Sequence, residues 1–252
     1  MKISISLLMW FLLGITTIFA EGEKQSVMLT GASFATSNNG WFEFGCQKLD
    51  VIPLNRAVSG ESIVHTAEKM NAGTFYSSEE FEKNDALVIM HVHEKDVFND
   101  PHSWLREKYS DYEFPMDMGN YVGAFDYVIK RYISDCFNLK YDSTSVYFNT
   151  PHGKPAIIVL CTHWHDSREI FNTTVRQLAE KWGLPVVEFD KNIGFSKNQL
   201  HPVSNKQFSL LYAYDTQEQN GVMYGWHPLN GDTYIQHKMA TIFTNSMQGI
   251  LP

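Results

Sequence analysis

Three cysteines in 252 residues, Cys46, Cys136 and Cys161, are too few for a disulfide framework. They sit in apolar segments with no C-x-x-C spacing, so they read as buried free thiols. Basic residues are also scarce: 20 Lys and Arg face 28 Asp and Glu, a formal net charge of -8. A chain with that balance lacks the basic face needed to hold phosphates, which excludes nucleic acid as a partner. It gives no attraction to anionic lipid surfaces either. Repeats, low-complexity linkers and a broad apolar lid segment are all missing.

One long apolar run stands at the start. Lys2 is followed by an almost uninterrupted apolar stretch from Leu7 to Phe19, then Ala20 and the abrupt polar switch Glu21-Gly22-Glu23. The run is short for a membrane span and ends at a small residue, so residues 1–20 read as a cleaved signal peptide. The expected location is secreted or periplasmic, with no stable membrane insertion after cleavage. An uncleaved N-terminal anchor is the alternative. The whole chain is 44% hydrophobic and 14% aromatic, and the remainder, 21–252, is long enough for one globular domain with a full core and too short for two.

Within that domain apolar runs alternate with amphipathic stretches. Strands are expected at Val27–Thr30, Val51–Val58, Ala86–Val92, Ala156–Cys161 and Val186–Phe189. Helices are expected at Gly40–Leu49, Glu61–Met70, Tyr121–Phe137, Arg168–Trp182 and Gly231–Met247. Gly183, with Pro185 beyond it, closes the fourth. Strand–helix alternation of this kind means a parallel sheet covered on both faces, a three-layer α/β/α sandwich with sites at the carboxyl ends of its strands. Two stretches break the alternation and read as insertions at the rim, 95–119 and 193–224. The second contains a hairpin signal, Phe208–Tyr212 through Asn220-Gly221 to Val222-Met223-Tyr224.

Four places fall at strand ends. Ser33 follows strand one in Gly31-Ala32-Ser33-Phe34. Ser59-Gly60 follows strand two. His91-Val92-His93 ends strand three. His227 precedes the last helix in Gly225-Trp226-His227-Pro228. A serine hydroxyl becomes a useful nucleophile only when a base takes its proton, and His227 is the candidate base.

This order resembles the SGNH, or GDSL-type, hydrolase family, over nearly the whole mature chain. The resemblance implies a flavodoxin-like sheet of about five parallel strands. It also implies a serine esterase needing no cofactor, with Ser33 as nucleophile and His227 as base. The oxyanion donors it implies are the backbone N–H groups of Ser33 and Gly60 together with the side chain at position 93. The chain departs from the family pattern in three places. Ala32 stands where the G-D-S aspartate belongs, His93 where an asparagine belongs, and Tyr224 where the D-x-x-H aspartate belongs. The last departure leaves the support of His227 open among Tyr224, Glu61 and Asp215.

With an export signal, an acidic surface and surplus aromatics (Trp41, Trp104, Tyr109, Tyr112, Trp164 and Trp226), the expected substrate is an acylated carbohydrate or another small ester. His163, His165 and Trp226 would line the substrate rim. Two alternatives remain. The missing carboxylate fits a glycan-binding module that kept the fold and lost the chemistry. The pairs His91/His93 and His163/His165, each on one side of a strand end, fit a metal-dependent hydrolase. Asn172-Thr173-Thr174 is a glycosylation sequon, meaningful only in a eukaryotic secretory route.

Overall fold

The structure, a computed structural model, describes residues 24–36, 39–92 and 121–251. The expected leader, His93 and the first rim insertion lie outside these residues. No helix among the described residues is long and apolar enough to cross a membrane.

The apolar runs form a parallel sheet. Its strands are β1 (Ser26–Gly31), β2 (Ile52–Asn55), β3 (Asn84–Met90), β4 (Ile157–Cys161) and β5 (Val186–Val187), in the order β2-β1-β3-β4-β5. That is the flavodoxin-like order the resemblance implied. Leu87 to Met90 and Val159 to Cys161 have no solvent-exposed surface, as central strands covered on both faces require. Each fully buried Leu, Ile, Val or Met contributes roughly 2 kcal/mol of transfer free energy. Strand two is shorter than Val51–Val58, though the chain stays beside β1 past Asn55, where Arg56 N–H donates to the Leu29 carbonyl at 2.8 Å. Val58 N–H donates to the Gly31 carbonyl at 3.0 Å.

The helices follow the expected order: α1 (Trp41–Leu49), α2 (Ile63–Asn71), α3 (Ser78–Lys83), α4 (Tyr121–Asn138), α5 (Glu169–Trp182), α6 (Phe189–Asn192) and α7 (Tyr234–Met247). Short α3 and α6 carry too few turns to show a periodicity in the sequence. α5 stops at Gly183, whose φ of 68° is the left-handed conformation a helix C-terminus favours. α1 and α7 pack closely because Gly45 has no side chain: a Cβ there would lie 2.4 Å from Phe243 Cδ1.

Outside the sheet, β6 (Thr216–Gln219) and β7 (Val222–Gly225) form a separate antiparallel hairpin. Its turn residues Asn220 and Gly221 both have positive φ, 53° and 77°, the primed-turn geometry that matches strand twist. The expected first strand of this hairpin, Phe208–Tyr212, is instead largely a 3₁₀ turn over Phe208–Leu211. The pairing strand begins further along, at Thr216. All three cysteines are buried and free.

Candidate active site

Ser33 sits in a tight turn directly after β1. Ala35 N–H closes the turn onto the Ala32 carbonyl at 2.9 Å. Gly31 has to be small here, because a Cβ would lie 2.8 Å from Ala35 Cβ and 3.0 Å from the Met90 carbonyl. Three side chains pin the turn from outside. The Trp41 indole N–H donates to the Phe34 carbonyl at 3.0 Å, Asn55 Nδ2 to the Ala35 carbonyl at 3.0 Å, and Thr36 Oγ1 to the Ser33 carbonyl at 3.1 Å. Ala32 is buried, so an aspartate at that position would have to bury its carboxylate.

His227 follows β7 and reaches Ser33 across 194 residues of chain. Its Nε2 lies 2.8 Å from Ser33 Oγ. Its Nδ1 lies 2.7 Å from Asp215 Oδ2, and its backbone N–H donates to Asp215 Oδ1 at 2.7 Å. An ionised carboxylate only accepts, so Nδ1 carries the proton and Nε2 is free to accept from the serine hydroxyl. The hairpin ladder makes this pairing. Beyond the last β6–β7 pair, Thr216 opposite Gly225, Trp226 N–H donates to the Asp215 carbonyl at 3.0 Å and Tyr214 N–H to the His227 carbonyl at 3.2 Å. His227 thus stands opposite Tyr214 and Trp226 opposite Asp215, which leaves Asp215 the diagonal neighbour of His227, twelve residues away in sequence.

Of the three residues named for the support of His227, Asp215 alone makes the contact. Glu61 is turned away into a pair with Lys69, both carboxylate oxygens 2.6 Å from Nζ. Tyr224 is buried on the inner part of β7, opposite Gln217, and makes no hydrogen bond to His227. A D-x-x-H spacing would need the aspartate on the same strand as the histidine. Here the carboxylate comes from the facing strand.

Gly60 lies exposed in the turn between β2 and α2, with φ of 83°. Its loop hangs from the end of β1 through Val58, which places it near the turn that carries Ser33. Nothing crowds the position, so the backbone conformation alone calls for glycine.

His163 and His165 are not rim residues: both are completely buried. His163 Nδ1 faces the His165 carbonyl at 2.9 Å, and its backbone N–H donates to Asn172 Oδ1 at 2.8 Å. His165 Nε2 donates to the Gly225 carbonyl at 2.8 Å while Nδ1 accepts from Ser167 N–H at 3.2 Å. Burial holds both imidazoles neutral, pushing His165 down to about 4 and His163 well below its ordinary value. His165 is therefore a structural pin between β4 and the hairpin that carries His227. Trp164 adds a second pin, its indole N–H donating to the Trp226 carbonyl at 2.9 Å.

The metal reading finds no support among the described residues, which leave out His93. His91 Nε2 lies 3.2 Å from both Thr30 Oγ1 and Thr66 Oγ1, beneath the sheet end. Among the described residues no group of three or more His, Cys, Asp or Glu side chains could hold a metal ion. The sequon is equally unavailable, since Asn172 is 2% exposed and its amide serves His163 and His165. Trp226 is partly buried between the Phe34 ring, 5.2 Å away, and the Arg168 guanidinium, 4.5 Å away.

Asn55, Phe34 and Tyr214 carry no mark in the sequence, and Trp41, counted there among the surplus aromatics, is a buried donor to the serine turn. Asn55 stands at a strand end, a signal of position but not of role. Tyr214 precedes the aspartate and stacks on His227, ring centroids 5.4 Å apart and 7° from parallel.

A family model described as "Domain of unknown function (DUF5040)" matches residues 24–251. No curated protein matches. Several solved structures are similar to the chain. One is a candidate GDSL-like lipase from Parabacteroides merdae, 18% identical, covering 90% of this chain and 97% of that one at a TM-score of 0.44. Another is a lipase/acylhydrolase from Enterococcus faecalis, 10% identical, covering 91% and 98% at 0.43. A third is 13% identical and covers 90% and 98% at 0.51. The third, at 13% identity, shows a likeness of fold alone.

Proposed function

The chain belongs to the DUF5040 family, and we propose that this member is an exported serine hydrolase that removes acyl groups, acetyl foremost, from a carbohydrate. The observation that carries the reading is the continuous chain from Ser33 Oγ through both nitrogens of His227 to Asp215, with links of 2.8 and 2.7 Å. In this reading Ser33 Oγ attacks the ester carbonyl while His227 Nε2 takes its proton. Asp215 stays ionised, holds the Nδ1–H tautomer and stabilises the imidazolium. The oxyanion would be met by the backbone N–H groups of Ser33 and Gly60, with His93 as the third donor. The imidazolium then returns its proton to the leaving alcohol, and water repeats the sequence on the acyl-serine.

The binding-module alternative rested on a missing carboxylate. Asp215 supplies one, which favours catalysis over binding alone. The carbohydrate half of the proposal rests on the acidic composition, since Trp41 and Trp164 are core residues, and export on the leader-like first residues. The test offers purified protein p-nitrophenyl acetate and acetylated polysaccharide, beside Ser33→Ala. Turnover of both, lost in Ser33→Ala, supports the reading. Turnover that survives Ser33→Ala overturns the serine mechanism. Glycan binding without any turnover restores the module reading.

A further inference from the structure

We infer that Tyr214 is a positioning residue for His227, holding the imidazole in the plane that joins Asp215 to Ser33. The inference rests on the reading of Ser33, His227 and Asp215 as the working group. Hydrogen bonds at Nδ1 and Nε2 lie in the ring plane and fix the line between the two nitrogens. They resist a roll of the ring about that line only weakly, because a hydrogen bond tolerates tens of degrees of misalignment. Flat neighbours on the faces of the ring stop such a roll. Phe34, 3% exposed, approaches from the interior, its ring centroid 4.9 Å away and tilted 30°. Tyr214, 55% exposed, lies almost parallel to the imidazole on the solvent side.

The placement of Tyr214 is built in. Its backbone N–H donates to the His227 carbonyl, and the next residue accepts from both the backbone N–H and the Nδ1–H of His227. One dipeptide, Tyr214-Asp215, thus grips His227 by its backbone, its ring edge and its ring face. The Tyr214 hydroxyl makes no hydrogen bond among the described residues, so the ring itself is the working part. An aromatic face also attracts the positive charge that the imidazole acquires when it takes the serine proton. Both effects act on the chemical step and leave ground-state substrate binding alone.

The test compares Tyr214→Leu, which removes the ring, with Tyr214→Phe, which keeps it. The expected result is a fall in kcat of roughly three- to thirtyfold for Tyr214→Leu, with KM unchanged and Tyr214→Phe close to wild type. Wild-type kcat in Tyr214→Leu overturns the inference. So does a rise in KM at constant kcat, which would make the ring a substrate platform, or a Tyr214→Phe variant as impaired as Tyr214→Leu. If the wild-type protein turns over no ester, the functional reading falls and the inference is decided by a crystal structure of Tyr214→Leu. It expects the imidazole plane rolled about the line between its nitrogens, out of alignment with Ser33 Oγ and Asp215. An imidazole left in place overturns it.

Discussion

Asp215 reaches His227 diagonally across the continued β6–β7 ladder, accepting both its backbone N–H and its Nδ1–H at 2.7 Å. Two bonds to one carboxylate fix the tautomer and the ring direction together. Replacing Asp215 by Asn puts an amide N–H donor in competition for Nδ1 and favours the wrong tautomer. The expected loss in kcat is on the order of 10³–10⁴-fold. It would be read as initial rates on p-nitrophenyl acetate with the circular dichroism spectrum unchanged. A variant within tenfold of wild type would remove Asp215 from the mechanism.

Tyr224 occupies the place where the family pattern puts its aspartate, yet it does not touch His227. Tyr224→Phe should leave kcat and KM at wild-type values under the same assay. A marked fall in kcat would mean that the hydroxyl reaches the imidazole during turnover.

Gly225 stands two residues before His227, against the 3₁₀ turn. A Cβ there would lie 2.5 Å from the Ser209 carbonyl and 2.6 Å from Ala213 Cβ. Gly225→Ala must move backbone, at a cost of about 1–3 kcal/mol. It should lower the melting temperature and, by shifting the hairpin against the sheet, lower kcat as well. Unchanged calorimetric stability with wild-type rates would show that the contact yields freely.

The buried His165 makes stability depend on pH. Its folded value is depressed from the ordinary 6.5 to about 4 by burial. Between those values the unfolded chain binds more protons than the folded one, so acid favours unfolding. The contribution is complete above pH 6.5 and is lost as pH falls towards 4, up to about 3 kcal/mol. His163 adds to this in the same direction. Urea unfolding at several pH values should show the slope, and His165→Gln should flatten it. Equal slopes in the two proteins would exclude His165 as a source.

Much of this protein follows from local pattern. The apolar runs mark the strands, because a strand buried on both faces carries few polar residues, each needing a hydrogen-bond partner. The alternation with helices implies parallel pairing. Position relative to the strand ends picks out Ser33 and His227, and Asn220-Gly221 marks the hairpin turn because both residues accept positive φ. The partner of His227 is a different kind of fact. Asp215 meets it through the register of two antiparallel strands, and register depends on which residues pair and not on how far apart they lie in sequence. Burial is likewise a property of the assembled layers. His163 and His165 have the composition of a rim or a metal site, and only the packing of the hairpin over β4 turns them into neutral interior pins. Sequence determined which residues could act; the hairpin register decided which carboxylate stands behind the base, since hydrogen bonds between strands act over space and leave no spacing rule in the chain.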